Sequence, residues 1–340
     1  MTGLSGKRVL VTGGAGFIGS ELVRQACAAG AEVVAVDNLV NGKRENLADL
    51  DRSLRFEEAD IRALERMAAL LQGVDIVFHL ACLGVRHSIH SPRENHDVNA
   101  TASLDLLALA RKQGVSRFVY VSSSEVYGTA RWAPMTEEHP TFPMTVYGGG
   151  KLAGECYARA YWETYRYPTV VVRPFNAFGP RSHHEGDSGE VIPKFVLRAM
   201  ASKPLMVFGD GTQTRDFTFV GDTARGILLA GTAEAAVGQT INIGSGAEIA
   251  IGDLAQKISR LVANGGARIE RVDPRPGDVL RLYSDPARGR DLLGYTPSVP
   301  LEEGLRRLVD WYKTLGVSAE DLLRQEIERN WIKEGASHHA

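Results

Sequence analysis

The sequence predicts an α/β fold: a doubly wound parallel sheet followed by a second, smaller α+β lobe. Through the first half of the 340 residues, short apolar runs rich in β-branched residues alternate with segments of helical periodicity. Such alternation is typical of a parallel sheet with helices on both faces, whose strands are almost wholly apolar. A glycine-rich turn follows the first apolar run and marks the passage from the first strand to the first helix.

Six runs in the first half have the length and composition of strands. In chain order they are KRVLVTG (7–13), AEVVAVD (31–37), LRFEEAD (54–60), VDIVFHLA (74–81), RFVYVSS (117–123) and TVVVRPF (169–175). Helical patterns fall between them, at residues 17–29, 61–71, 92–112 and 147–165. This order predicts that the strands run in the same direction with a helix crossing between neighbours.

The pattern loosens after residue 180, where Gly- and Pro-rich turns separate shorter elements. We therefore expect residues 1–180 to form the sheet domain and residues 181–330 the smaller lobe. The boundary is not expected to be clean, because the buried-looking run at 239–245 can rejoin the first sheet. Residues 331–340 are polar and are expected to fray.

Composition excludes several classes of protein. Hydrophobic residues make up 44%, charged residues 24%, and the formal net charge is −2, so no basic surplus points to nucleic acid. The N-terminal residues lack the pattern of a secretory signal, and no apolar run is long enough to span a membrane. The sequence thus predicts a cytoplasmic protein that binds neither nucleic acid nor membrane.

Cysteine and histidine give no sign of a metal site. Cys27, Cys82 and Cys156 lie far apart among apolar neighbours, which favours reduced, buried thiols. Neither histidine-containing stretch, RHSIHSPRENH (86–96) or SHHEGD (182–187), has a known ligand spacing, so their histidines are expected to be polar loop residues.

The turn VTGGAGFIGS (11–20) carries Gly13, Gly16 and Gly19 between a strand and an apolar helix. A dinucleotide needs this arrangement, because its pyrophosphate must approach backbone N–H groups at a helix N-terminus without a side chain in the way. Asp37 closes the second strand 18 residues after Gly19, where a carboxylate can accept the adenosine ribose hydroxyls and repel a 2′-phosphate. The turn therefore predicts a Rossmann-type NAD site, with Asp60 and Ile61 of the third strand end near the adenine.

A second cluster lies at the end of the fifth strand, at SSSE (122–125), the edge where open α/β sheets bind ligands. Tyr147 and Lys151 follow in YGGGK, four residues apart and thus on one face of the helix that they begin. An ammonium beside a tyrosine, together with the charge of a nicotinamide, favours the phenolate and so makes a base for a sugar hydroxyl.

These motifs together resemble those of the extended short-chain dehydrogenase/reductases that act on nucleotide sugars. The resemblance covers roughly residues 7–315 and rests on TGGAGFIG, DNL, ADI, HLA, SSSEVYG, YGGGK, RPFNAFGP and RDFTFV in this order. It implies that Tyr147 is the catalytic base, Lys151 its partner on the nicotinamide ribose, and Ser123 the proton-relay hydroxyl, with Ser124 beside it.

The resemblance also implies ligand contacts elsewhere in the chain. Further residues expected at the cofactor are Phe17, Ile18, Asn38, Leu80, Ala81 and Asn99. Residues expected at the nucleotide sugar are Arg86, Asn176, Val191, Arg215, Arg275 and Asp278. Helices 92–112 and 147–165 resemble those that pair across the family's dimer interface, with Leu104, Leu107, Tyr157 and Tyr161 at candidate contact positions, so a homodimer is expected.

Family members share oxidation at the sugar C4 and differ in the later steps of the reaction. A 4,6-dehydratase would have an Asp–Glu pair before VYG, whereas this chain has Ser124 and Glu125. Glu125 fits a UDP-glucuronate decarboxylase, but YGGGK and GVRHSIHSPRENHDVN look more like the 4-epimerases, including those acting on UDP-uronates. We therefore expect a 4-epimerase of a UDP-hexose or UDP-uronate, with the decarboxylase as the alternative; a non-catalytic NAD-binding sensor would be expected to lack Tyr147 or Lys151.

Overall fold

A computed structural model describes residues 3–50, 54–186, 188–274 and 279–329. Arg275 and Asp278, which the sequence placed at the substrate, lie outside the described residues, as does the tail at 331–340.

The centre of the protein is a seven-stranded sheet in which all neighbours are parallel. Its strands are β1 (Arg8–Thr12), β2 (Glu32–Asp37), β3 (Leu54–Glu58), β4 (Ile76–His79), β5 (Arg117–Val121), β6 (Thr169–Pro174) and β11 (Thr240–Ile243). They are ordered β3-β2-β1-β4-β5-β6-β11, so the strand order reverses between β1 and β4. This is a Rossmann-type doubly wound sheet, as predicted, and the reversal opens a crevice at the carboxyl ends of its strands.

In the described part of the chain, seven short strands lie outside this sheet. They are β7 (Asn176–Phe178), β8 (Leu205–Phe208), β9 (Thr214–Arg215), β10 (Phe217–Phe219), β12 (Ile249–Ala250), β13 (Ile269–Val272) and β14 (Arg281–Leu282). They form three small sheets, ordered β10-β7, β12-β9-β14 and β13-β8.

Twelve α-helices connect the strands of the described residues. Their bounds are α1 (Phe17–Ala28), α2 (Leu64–Leu70), α3 (Val85–His90), α4 (Pro92–His96), α5 (Ala102–Lys112), α6 (Val146–Tyr165), α7 (Val191–Met200), α8 (Val220–Thr232), α9 (Ile251–Ala263), α10 (Ala287–Leu293), α11 (Leu301–Thr314) and α12 (Ala319–Leu322). None of the described helices is both long enough and apolar enough to cross a bilayer.

Alternation along the strands builds two hydrophobic layers, one on each face of the large sheet. In β1, Val9 and Val11 pack on the side of α1 and α8, whereas Leu10 packs on the side of α2, α5 and α6. Successive side chains of a strand point to opposite faces, so a strand buried on both sides must be apolar at every position. Because α8 and β11 come from beyond residue 180, the later half of the chain completes the first sheet.

The smaller lobe has its own core between α7, α9 and α11. Phe195, Leu254 and Leu308 are buried in it, with Phe178 of β7 and Phe219 of β10 on the side of the large sheet. This core holds the lobe against the carboxyl edge of the sheet, so that the two form the walls of one cleft.

Two expectations about local structure are wrong. The stretch that contains His87 and His90 is not a polar loop, because Val85–His90 is the helix α3, begun after Gly84. The segment 92–112 is not one regular helix either: α4 and α5 are joined by a π-helical turn, Asp97–Thr101. Such turns are frequent at functional sites.

None of the three cysteines forms a disulfide bond. None of them is buried as expected, since Cys27 and Cys82 are only partly covered and Cys156 is exposed on α6.

A network of buried polar side chains lies at the ends of β1 and β4, next to the crevice. The Thr12 hydroxyl lies 2.7 Å from His79 Nδ1 and also accepts from the backbone N–H groups of Leu80 and Ala81. His79 Nε2 lies 2.8 Å from the Ser103 hydroxyl, which in turn donates to the Asn99 carbonyl oxygen. If His79 is neutral and carries its proton on Nε2, each hydrogen bond of this network has one donor and one acceptor. Burial lowers the pKa of His79 to about 3, and the nearby charge of Lys151 acts in the same direction.

This low pKa predicts an acid sensitivity. Between about pH 3 and 6.5 the unfolded chain binds a proton at His79 that the folded protein does not, so its contribution to stability rises with pH by about 1.4 kcal/mol per pH unit. Urea denaturation at several pH values should show this slope in the wild type relative to His79→Gln. The exposed His96→Gln is the control and should follow the wild type. Equal slopes for His79→Gln and the wild type would contradict the assignment.

Candidate active site

A cleft of about 730 Å³ runs along the carboxyl edge of the large sheet, between it and the smaller lobe. Nearly all described residues that the sequence assigned to a site line this cleft. They are Gly13, Gly16, Phe17, Ile18, Gly19, Asp37, Asn38, Asp60, Ile61, Leu80, Ala81, Arg86, Ser123, Ser124, Glu125, Tyr147, Lys151, Asn176, Val191 and Arg215. Asn99 does not line it.

The glycine-rich turn brings the start of α1 against the ends of β1 and β4. A Cβ on Gly13, whose φ is +69°, would lie 2.8 Å from the backbone nitrogen of Ala81, and one on Gly19 would lie 1.9 Å from the Gly13 carbonyl oxygen. Gly16 is the N-cap residue of α1, and no described side chain caps this helix or places an acidic group in its first turn. The turn therefore offers backbone N–H groups at a bare helix N-terminus, which suits a pyrophosphate.

Asp37 lies at the end of β2 beside this turn. Its carboxylate accepts from the backbone N–H of Ala15 at 3.0 Å and of Leu39 at 2.9 Å. Burial raises the pKa of Asp37, and the backbone hydrogen bonds partly oppose that rise. Asp37 thus orders the glycine-rich turn and also presents a carboxylate to the cleft, as a ribose contact requires.

Asp60, two residues after β3, faces the same end of the cleft. It accepts hydrogen bonds from Arg62 and from the side-chain amide of Asn38 at 2.9 Å. The hydrogen bonds from Arg62 lower the pKa of Asp60 to about 2, so this carboxylate is charged at neutral pH. Asn38, Ile61 and Arg62 line the cleft together with Asp60.

Asn99 acts behind the cleft wall. From the π-helical turn its side-chain amide accepts from Leu83 N–H and donates to the Leu83 carbonyl oxygen, both at 2.9 Å. It also donates to Asn95. Asn99 is therefore placed to position the segment after β4 rather than to line the cleft itself.

The helix α6 carries Tyr147 and Lys151 to the middle of the cleft. Thr145 caps it by accepting from the Gly148 N–H at 3.1 Å. The glycine of the third turn allows α6 to lie close to the sheet, because a Cβ on Gly154 would meet the Tyr120 hydroxyl at 2.2 Å. Lys151 is buried and donates to the Val121 carbonyl oxygen at 2.9 Å.

The surroundings of the Tyr147 phenol favour its protonated form. Burial raises the pKa of Tyr147, and the neighbouring Cys82 and Glu125 raise it further, whereas its hydrogen bond with Ser123 lowers it. A positive charge arriving beside the phenol would have to offset these effects before it could act as a base.

The three serines before Glu125 have different roles. Ser122 donates to Glu155 Oε1 at 2.5 Å. Ser123 caps a short 3₁₀ turn, Ser124–Val126, by accepting from the Glu125 N–H at 3.2 Å, and its hydroxyl also reaches Tyr147. Ser124 is almost fully buried. Ser123 is therefore the hydroxyl of the run that contacts the phenol.

A buried ion pair fixes α6 relative to the sheet. Glu155, on the same face of α6 as Tyr147 and Lys151, is fully buried and pairs through both carboxylate oxygens with Arg173 of β6, at 2.9 and 2.7 Å. Arg173 also donates to the Tyr127 hydroxyl at 2.8 Å. Burial alone would lower the pKa of Arg173, but the hydrogen bonds and charge of Glu155 outweigh it and raise the pKa. The same carboxylate thus links Ser122, α6 and β6.

The smaller lobe contributes the other wall. Asn176 begins β7, and its buried Oδ1 has no hydrogen-bond partner among the described residues. Arg215 donates to the carbonyl oxygens of Thr214 and Val279, at 2.8 and 2.6 Å, and lines the cleft with Val191 of α7. Arg86 enters from α3 on the opposite side.

Two further groups line the cleft that sequence reasoning missed or set aside. Glu190, just before α7, lies close enough to Tyr147 for its charge to raise the pKa of the phenol. Cys82, interpreted only as a structural thiol, does the same from the segment after β4. The sequence around Glu190 and Cys82 contains no motif that identifies them as site residues, because only folding brings them near the phenol from distant parts of the chain.

The fold and this cleft together define a nucleotide-cofactor enzyme of the Rossmann type with a tyrosine–lysine pair at its centre. The sequence profile of the NAD dependent epimerase/dehydratase family matches residues 9–244. The chain belongs to this family, and its cofactor is NAD.

Known relatives include different activities. The chain is 34% identical to a putative UDP-glucose 4-epimerase of Methanocaldococcus jannaschii, over 90% of this chain and 98% of the relative. It is 33% identical to UDP-glucuronic acid decarboxylase 1 of Xenopus tropicalis, over 98% of this chain and 79% of the relative. A solved epimerase of Methanothermobacter thermautotrophicus superposes with a TM-score of 0.89 at 36% identity, covering 96% of each chain.

The ion pair beneath the site predicts a large effect on stability. Glu155→Gln leaves Arg173 buried without its counter-charge and should lower the free energy of unfolding by about 3–5 kcal/mol. The matched control is Glu163→Gln on the same helix, whose pair with Arg166 is exposed on both sides and should contribute at most about 0.5 kcal/mol. Chemical denaturation measures both, and equal effects would show that the buried pair has no special role.

Proposed function

We propose that the protein is an NAD-dependent nucleotide-sugar 4-epimerase that acts on a UDP-hexose or UDP-uronate through a transient 4-keto sugar. The observation that carries this proposal is the meeting of Tyr147, Ser123 and Lys151 in one cleft with the glycine-rich turn. A hydroxyl-bonded phenol and a buried ammonium beside a dinucleotide site suit proton transfer at a carbinol carbon.

The described residues fit NAD: Gly13, Gly16 and the start of α1 for the pyrophosphate, and Asp37 for the adenosine ribose. When bound, NAD supplies a hydride acceptor and a positive ring charge at this site. Tyr147 would take the proton of the sugar 4-hydroxyl and later return it. Ser123 would orient the phenol through a hydrogen bond, and Lys151 would supply a fixed positive charge near the phenol.

Residues before Tyr127 favour epimerisation over elimination. Ser124 occupies the position at which the dehydratase pattern calls for an acid, and a buried serine hydroxyl cannot protonate a leaving group as a carboxylic acid does. In an epimerase the 4-keto sugar needs only to turn over and accept hydride on its other face. The similarity to proteins named UDP-glucose 4-epimerase supports this choice.

The alternative is a UDP-glucuronate decarboxylase. Glu125 lines the cleft beside Tyr147, and the Xenopus tropicalis relative carries that name. A decarboxylase would make Glu125 indispensable, whereas an epimerase would not. A non-catalytic NAD-binding role is disfavoured because Tyr147 and Lys151 are both present in the cleft.

Three substitutions separate these activities. In an epimerase, Tyr147→Phe and Ser123→Ala should each lower kcat about 10²-fold or more, since each removes part of the proton relay. Glu125→Gln should keep much of its activity. Products from UDP-glucose, UDP-N-acetylglucosamine and UDP-glucuronate are identified by NMR. A C4-inverted sugar of unchanged mass supports the proposal; release of carbon dioxide, together with severe loss in Glu125→Gln, would replace it with the decarboxylase.

We also propose a homodimer in the cytoplasm, where cysteines without disulfide bonds persist. The dimer would pair α5 and α6, on which Tyr165 is exposed and stacks with Arg111. Leu104, Tyr157 and Tyr161 are half-buried there, whereas Leu107 packs in the core and is not available for a partner.

Light scattering at micromolar concentration should give twice the chain mass for the wild type and a lower mass for Tyr161→Glu. A monomeric wild type would overturn the dimer.

A further inference from the structure

The cleft contains a carboxylate that the proposed reaction does not use. Glu190 is the residue before α7, and its backbone N–H donates to the His183 carbonyl oxygen at 2.9 Å. Its side chain does not cap the helix and lines the cleft instead. Among the described residues, no hydrogen-bond donor or ion-pair partner reaches this carboxylate.

The charges around Glu190 come from four parts of the fold. Burial raises its pKa to about 7; His183 and Arg86 oppose the rise, whereas Glu185 adds to it. Glu185 is itself paired with Lys43 at 2.6 Å. The charge of Glu190 also raises the pKa of the Tyr147 phenol, and Lys194 follows one turn later on α7.

Glu190 is half-buried in the cleft, so its carboxylate can accept a hydrogen bond from a bound ligand. Sugar hydroxyls are suitable donors, and Glu190 lies beside the phenol that meets the reacting part of the sugar. The phenol therefore has two acidic neighbours, Glu125 and Glu190. Arg86 also lines the cleft, and its charge lowers the pKa of Glu190.

We propose that Glu190 determines substrate specificity: it accepts a hydrogen bond from a hydroxyl of a neutral hexose and rejects sugars that carry a carboxylate. This inference rests on the proposed function and narrows it to UDP-hexoses whose sugar carries no charge. A uronate would place a second carboxylate beside Glu190, with Arg86 shared between the two. Like charges at such a position disfavour binding and catalysis together.

Protonation of Glu190 removes the repulsion. Below about pH 7 the carboxyl is neutral and tolerates a neighbouring carboxylate, whereas above this pH it is charged. The uronate keeps its own charge throughout this range. Discrimination against uronates should therefore increase from pH 6 to pH 8 in the wild type and should be flat in Glu190→Gln.

The test compares kcat/KM for UDP-glucose and UDP-glucuronate at pH 6 and pH 8. Glu190→Gln should lower the preference for UDP-glucose at pH 8 by at least about tenfold, because the amide carries no charge. The control Glu65→Gln removes the same charge from an exposed position on α2, away from the cleft, and should leave the preference unchanged. Thermal unfolding of each variant checks that the fold is intact.

Several results would overturn the inference: a wild-type preference for UDP-glucuronate, a preference that is equal at pH 6 and pH 8, or no change in Glu190→Gln. The pH comparison needs only the wild type, so it decides the matter even if the variant does not fold. Calorimetric binding of the same two substrates separates this inference from the proposed function. Failure to form a C4-inverted sugar would sink the epimerase, while the ratio of the two affinities would still test Glu190.

Discussion

The contact between Glu155 and Arg173 is the constraint on which the geometry of the site depends. Two buried charges in the protein interior must remain close together, since neither can be left alone without water. This requirement holds α6 at a set distance from β6, and through Ser122 it also holds the end of β5. Lys151 and Tyr147 lie one and two turns before Glu155 on the same helix face, so the position of the phenol depends on the ion pair beneath it.

The middle of the cleft and the wall formed by the smaller lobe carry charges of opposite sign. The middle presents acidic groups to the Tyr147 phenol, Glu125 and Glu190 among them, and these favour the protonated form. The smaller lobe presents Arg215, whose guanidinium is fixed by two carbonyl oxygens and whose charge suits a diphosphate. A ligand with a charged diphosphate at one end and neutral hydroxyls at the other, such as a nucleotide linked to a neutral hexose, matches this division.

Much of this could be predicted from the sequence because the signals are local. A short apolar run rich in β-branched residues, such as TVVVRPF, indicates a buried strand. The glycine spacing of the first turn indicates a phosphate-binding loop. The pairing of Tyr147 with Lys151 is a consequence of helical periodicity alone. The place of Glu190 in the cleft could not be predicted, because this residue comes near the phenol only when the smaller lobe folds over the sheet. His79 was missed for a related reason: inside an apolar strand, nothing in its neighbours reveals that Thr12 and Ser103 converge on it.

The fate of a single hydrogen atom tests the epimerase mechanism most directly. Converting UDP-[4-²H]glucose in unlabelled water, with mass spectrometry and NMR of the product, shows whether the hydrogen removed from C4 returns to C4. Epimerisation through a 4-keto sugar predicts a C4-inverted hexose that retains the deuterium at C4 and has the mass of the labelled substrate. Exchange of the label with solvent, its appearance at another carbon, or a product lighter by one water would contradict it.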